Sequence, residues 1–280
     1  MKDTAIMLER SRNLFFSHWE ELLRLRFVVL KSCEHEDIHD LRVASRRFRA
    51  ALNLLSPMCR TGDVRRVSKA VRRLTRTLGE LRNLDEALLF FRSHTGQSAL
   101  PDLIERLAAM RENEERRVLG ALMEFKPHKL DRLVREMVAG ITTCNSAKWA
   151  IPPLPAYLSD TSISLFETLQ SFLPAALCFE NSEQRHSLRI AIKKWRYFME
   201  IVSKIVEQNQ DALLERLKRY QSLLGSMNDM TVFNEMCRDS GVAGDEPGAA
   251  QEIIAGETKR LFGEFVLLVA TEPLSYTFLI

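Results

Sequence analysis

Two short stretches of the chain carry the same row of cations behind a histidine. His39, Arg42, Arg46, Arg47 and Arg49 recur as His186, Arg189, Lys193, Lys194 and Arg196. The chemistry such a row can do is to hold an anion. A guanidinium presents a planar fork that grips phosphate or carboxylate oxygens two at a time, and an ammonium adds a point charge. A neutral imidazole donates one hydrogen bond, and protonation adds a second donor. On a helix, like charges three and four residues apart repel by roughly a few tenths of a kcal/mol per pair. A solvated face relieves that with interspersed acids, yet none stands between Arg42 and Arg49. An anion lying on the row would relieve it instead.

The recurrence extends beyond the cations. At an offset of 147, Leu41 falls on Leu188, Ala44 on Ala191 and Phe48 on Trp195. At an offset of 146, Leu78 and Gly79 fall on Leu224 and Gly225. A shared core requires matched apolar positions but no matched histidine, so the repeated polar residues point to a repeated task. At about 100° per residue, the cations Arg42, Arg46 and Arg49 lie within about 80° of His39 on a helical wheel. Leu41, Ala44, Phe48, Ala51, Leu52 and Leu55 lie opposite. The second copy divides in the same way. In the first half the next helix adds a stripe of Arg65, Arg66, Lys69, Arg72, Arg73 and Arg76. In the second half only Lys218 and Arg219 answer it, at the positions of Arg72 and Arg73.

Other chemistries fit less well. The histidines point away from the apolar side, and their cationic neighbours oppose a metal ion. Near an expected helix N-terminus, free N–H groups would favour an anion beside them. Acid–base or metal-assisted phosphate chemistry needs carboxylates in the groove. Asp40, Glu200 and Asp229 are near the stripes, but no two of them make a pair, and Asp40 reads as a cap for its own helix. Single-strand nucleic-acid binders interleave aromatic rings with their cations, and here only Tyr197 stands near a stripe. Five scattered cysteines without close spacing argue against a zinc site or a disulfide framework. No catalytic residue, metal or cofactor is expected.

The elements that position these residues are read as helices. The 280-residue chain is 46% hydrophobic with only eleven Gly and nine Pro, and its apolar residues follow a period near 3.6. Helices are expected over about residues 4–31, 38–55, 63–94 and 100–138, then about 158–179, 183–207, 211–239 and 248–270. Between the two sets, Pro152, Pro153 and Pro155 mark residues 142–156 as a linker. Residues 1–141 and 157–280 would be two four-helix halves of one all-α domain. The net charge of +3 hides an asymmetry: residues 1–150 carry 28 Lys+Arg against 20 Asp+Glu, and residues 151–280 carry 12 against 17. The N-terminus has no apolar signal core and no stretch reaches transmembrane length. A soluble cytoplasmic protein without a membrane partner is expected. The apolar tail from Phe265 to Ile280 is read as a core helix followed by a strap, with a contact for another subunit as the alternative.

At these residues the sequence resembles the CHAD family, the conserved histidine α-helical domain. The motif H-x-L-R-V-x-x-R-R-x-R stands at His39 to Arg49, and H-x-L-R-I-x-x-K-K-x-R-Y at His186 to Tyr197. The family's L-G-x-x-x-D-type turns are recognisable at Leu78-Gly79 and from Leu224 to Asp229, with Asn83 in place of the first Asp. The resemblance spans about residues 5–270. It implies two four-helix bundles related by a pseudo-twofold axis around a basic central groove or pore. It also implies non-catalytic binding of inorganic polyphosphate, at polyphosphate granules in the cytoplasm. The implied binding residues are His39, Arg42, Arg46, Arg47, Arg49, His186, Arg189, Lys193, Lys194 and Arg196. Arg72, Arg73, Lys218 and Arg219 match the basic positions of the following helices, and Lys69 and Arg76 extend the first stripe. RNA or DNA phosphate is the alternative partner.

Overall fold

The structure, a computed structural model, describes residues 2–94, 100–142, 153–239 and 248–276. The described residues form nine α-helices and no strand: α1 (Lys2–Ser32), α2 (His35–Leu55), α3 (Thr61–Arg92), α4 (Leu100–Glu124), α5 (Pro127–Thr142), α6 (Leu154–Ala176), α7 (Ser182–Val206), α8 (Asp211–Asp239) and α9 (Ala249–Thr271), with a 3-10 turn at Ser56–Met58. The chain is all-α, as its periodicity implies.

The expected single helix over 100–138 is two helices. Proline lacks an N–H and clashes with the preceding turn, so it is tolerated at a helix start but not inside. Pro127 accordingly opens α5, and Phe125 and Lys126 form the break. The first half therefore holds five helices rather than four. α2 also starts at His35, three residues before the expected boundary, so Asp40 lies inside the helix rather than at its cap. Most of the expected linker, residues 143–152, lies outside the described residues, as do the last four residues of the tail.

The apolar face of each repeated helix anchors the fold. Phe48 and Trp195 are both fully buried. Phe48 stacks on Phe15 of α1 at 5.1 Å, and Trp195 meets Phe166 of α6 at 4.9 Å. Fully burying a large apolar side chain contributes roughly 1.5–3 kcal/mol. That leaves the opposite, cationic face of each helix free of a core role. α2 packs between α1 and α3, and α7 between α6 and α8. The halves then meet where α2 packs on α7 and α3 on α8. The tail behaves as a core helix and strap in its described part. Phe265 and Leu274 are buried, Tyr276 packs on Phe166, and the Leu274 carbonyl accepts from Gln170.

Candidate functional site

Packing α2 on α7 turns the two cationic faces toward one space. A cavity of about 510 Å³ lies among α2, α3, α7 and α8. Its wall carries His39, Arg42, Arg46 and Arg47 from α2, Arg189, Lys193 and Arg196 from α7, and Lys218 from α8. A second cavity of about 380 Å³ adjoins it, sharing Arg46, Lys193 and Tyr197 and adding Arg49 and Lys194. Ten of the sixteen residues expected from the sequence thus line these two connected spaces.

Four cations of the central cavity stand out by their lack of ion pairs. Among the described residues, no carboxylate forms an ion pair with Arg42, Arg46, Arg189 or Lys193. Arg189 Nε is buried without a hydrogen-bond acceptor. Burial, reinforced by neighbouring guanidinium groups, pushes Arg42 down to about 9 and Arg189 to about 10. Both therefore stay charged at neutral pH. Lys193 responds most strongly. Burial first, then Arg189, Arg46 and Arg42, push its ammonium down to about 5, with Asp229 opposing. Burial and the neighbouring guanidinium groups outweigh Asp229, so at neutral pH Lys193 is an amine until an anion arrives.

The two matched glycines explain how the arginines reach this space. Gly79 and Gly225 lie inside α3 and α8, not in turns as the motif suggested. A Cβ on Gly79 would stand 2.7 Å from Arg42 Nη1, so the guanidinium lies directly over the bare backbone. At Gly225 the nearest atom, Arg189 Nε, is 4.0 Å away. The arginine of each repeated helix thus rests beside the glycine of the helix that follows.

Acids hold the remaining cations of the central cavity. Asp229, expected to belong to a turn, sits inside α8 and accepts both terminal nitrogens of Arg82 at 2.9 and 3.2 Å across the α3–α8 contact. Arg82 also pairs with Glu86 at 3.2 Å. Glu200 bridges the halves, accepting from Arg196 of its own helix and from Arg47 Nε of α2 at 3.4 Å. Arg196 further donates to Gln221 at 2.8 Å and lies 4.6 Å over the Tyr197 ring. Arg82 was missed from the sequence because its partner in the repeat is the uncharged Asn228. No signal within its own helix separates it from an ordinary surface arginine.

The other expected residues are placed differently. His39 is exposed at the cavity wall. His186 is exposed and absent from that wall, with Nδ1 donating to Asn228 Oδ1 at 2.7 Å. A neutral His186 then offers only an acceptor at Nε2. Each histidine is the fifth residue of its helix, beyond the first four N–H groups. The expected help from a helix N-terminus does not apply. Lys69, Arg72, Arg73 and Arg76 are exposed on α3. Arg72 is near enough to Arg49 to push its guanidinium down after burial has done so. Arg73 and Arg76 face away into a separate 370 Å³ cavity, where Arg73 pairs with Glu124 at 3.1 Å. Lys218 is 3.6 Å from Glu215. Arg219 points to the strap and pairs with Glu272 at 2.5 Å. Among the described residues no group of three or more His, Cys, Asp or Glu could hold a metal ion, and no helix is long and apolar enough to cross a membrane.

The family model for the CHAD domain matches residues 13–238. No curated protein matches the chain. Among solved structures, the CHAD domain from the plant Ricinus communis superposes with a TM-score of 0.66 at 20% identity, covering 95% of this chain and 88% of that one. PptA from Streptomyces chartreusis superposes with a TM-score of 0.61 at 16% identity, covering 93% and 95%. At these identities the structures support the fold alone.

Proposed function

The chain belongs to the CHAD domain family, and from that premise we propose that its central groove binds linear inorganic polyphosphate without transforming it. One observation carries the reading: Arg42, Arg46, Arg189 and Lys193 converge from two helices on one cavity, and among the described residues no carboxylate forms an ion pair with them. Three guanidinium groups in a half-buried space repel one another and want an anion, whose arrival would also charge Lys193. A chain of phosphates supplies closely spaced charges with no bulky group to house. The acids nearest the groove support a non-catalytic role. Glu200, Asp229 and Glu86 are each engaged by an arginine, so none is left as a general base. The working unit is one domain made of two related halves, α1–α5 and α6–α9, that close on the same ligand. It acts in the cytoplasm, at polyphosphate granules.

A second reading has one observation in its favour. The 380 Å³ cavity sets Tyr157 of α6 and Tyr197 of α7 beside Arg46, Arg49, Lys193 and Lys194. Rings next to cations are what single-stranded nucleic acid uses for stacking. The stripes themselves lack this feature, and α6 brings it from outside them. The Tyr157 hydroxyl donates to the Leu54 carbonyl at 3.0 Å, which fixes the ring as part of the wall. Filter binding with polyphosphate against single-stranded RNA of equal charge tests the proposal. Polyphosphate should be retained at concentrations where RNA is not. Equal retention would favour the nucleic-acid reading, and retention of neither would refute both.

A further inference from the structure

Six cations that α2 and α7 bring to the central cavity fall into two sets. Among the described residues, Arg42, Arg46, Arg189 and Lys193 stand without ion pairs, whereas Arg47 and Arg196 are closed by a single acid, Glu200. Glu200 is the bridge between them, one oxygen toward each guanidinium. Its side chain is 20% exposed and that of Arg196 12%. Its position is also particular. Arg47 lines both the central cavity and a flanking 560 Å³ cavity that holds His18, Glu200 and Lys204. Glu200 belongs to the flanking cavity only. It therefore stands at the junction, on the side where an anion extending beyond Arg42, Arg46, Arg189 and Lys193 would next meet Arg47.

A carboxylate between two guanidinium groups makes the contacts a phosphate would make. We propose that Glu200 is a built-in competitor for the ligand, holding Arg47 and Arg196 until a phosphate chain long enough to reach them displaces it. This rests on the reading of the groove as a polyphosphate site and makes that site selective for length. A short anion such as triphosphate can sit on Arg42, Arg46, Arg189 and Lys193 and leave Glu200 in place. A longer chain continues past Arg47 and takes the nitrogens that Glu200 holds. The net gain from those two arginines is then reduced by the ion pairs that are given up, so short chains gain nothing from them and long chains gain in part.

The competing role is that Glu200 positions Arg47 and Arg196 for the ligand, and the two roles predict opposite signs. Glu200→Gln keeps the shape and removes the charge. Its affinity for triphosphate and for long-chain polyphosphate should be compared with that of the wild type by isothermal titration calorimetry at about 0.15 M salt, where exposed charges are screened beyond about 8 Å. As a competitor, Glu200→Gln should bind the long chain about tenfold tighter, the scale of one charge-assisted hydrogen bond returned to the ligand. Triphosphate should change much less. In addition, Arg47→Gln should weaken long-chain binding more in the Glu200→Gln background than in the wild type, because Arg47 is already occupied in the latter. Thermal melts of all variants confirm that folded protein is compared. An equal gain for both ligands, no gain, or weaker long-chain binding by Glu200→Gln overturns the proposal while the polyphosphate reading stands. Failure of the wild type to bind either ligand overturns both.

Discussion

Gly79→Ala should separate stability from binding. In a helix interior, alanine is favoured over glycine by about 1 kcal/mol, partly because the unfolded chain has less freedom to lose. Beyond its chain neighbours and the backbone of its own helix, the only atoms of described residues within 4 Å of a Cβ at this position belong to the Arg42 guanidinium, with Nη1 at 2.7 Å. Ordinary contact begins at 3.4 Å, so the guanidinium must move by at least 0.7 Å. It is the far end of a flexible side chain, so the fold yields easily while the binding group is displaced. The melting temperature should stay level or rise by roughly 1–3 °C, the shift expected for about 1 kcal/mol in a chain of this size. Affinity for polyphosphate should fall about tenfold or more, since a hydrogen bond to a charged group contributes about 1.5–3 kcal/mol. Gly225→Ala is the internal control. With its nearest neighbour at 4.0 Å, it should gain the same stability and leave affinity unchanged. Differential scanning fluorimetry and fluorescence anisotropy with labelled polyphosphate read both quantities. If the two alanine variants bind equally well, Gly79 is not the seat of Arg42 and the reasoning fails.

Three further outcomes follow from the same geometry. Binding at neutral pH should take up about one proton at Lys193, whose amine is held near 5 until phosphate raises it; calorimetry in two buffers of different ionisation enthalpy should show this uptake, and Lys193→Met should abolish it. The unfolded lysine titrates near 10.5 and the folded one near 5, so between those values the unfolded state binds the extra proton and stability rises with pH; the wild type should lose stability toward pH 5, and a urea titration of Lys193→Met should show a shallower pH slope. Asp229→Ala should destabilise the fold by about 3 kcal/mol, because it leaves the largely buried Arg82 without its main partner, and unchanged denaturant midpoints would show that Glu86 alone suffices.

The recurrence of His39 to Arg49 in His186 to Arg196 was legible because it lies within single helices. There a wheel separates Phe48 and Trp195 on the buried side from the cations on the other, and the fold obeys that division. What a wheel cannot show is the acid that arrives from another element. Arg73 meets Glu124 and Arg219 meets Glu272, more than fifty residues away in sequence. Arg47 meets Glu200 and Arg82 meets Asp229 at separations of about a hundred and fifty. These pairings decide which cations remain available, so the sequence stripe overstates the site. Conversely, Arg82 and Tyr157 enter the groove only through the packing of α3 on α8 and the placement of α6. The break at Pro127 was readable in principle, since a proline 27 residues into an expected helix signals a new start.

The most direct test of the central claim is equilibrium binding of linear polyphosphate to the wild type and to a variant with Arg42, Arg46, Arg189 and Lys193 all changed to glutamine, with salt concentration varied. The wild type should bind, with log affinity falling linearly against log salt as condensed cations are released. The variant should retain its helical circular dichroism and show no measurable binding. Wild-type affinity that stays flat with salt, or binding preserved in the folded variant, would contradict the account.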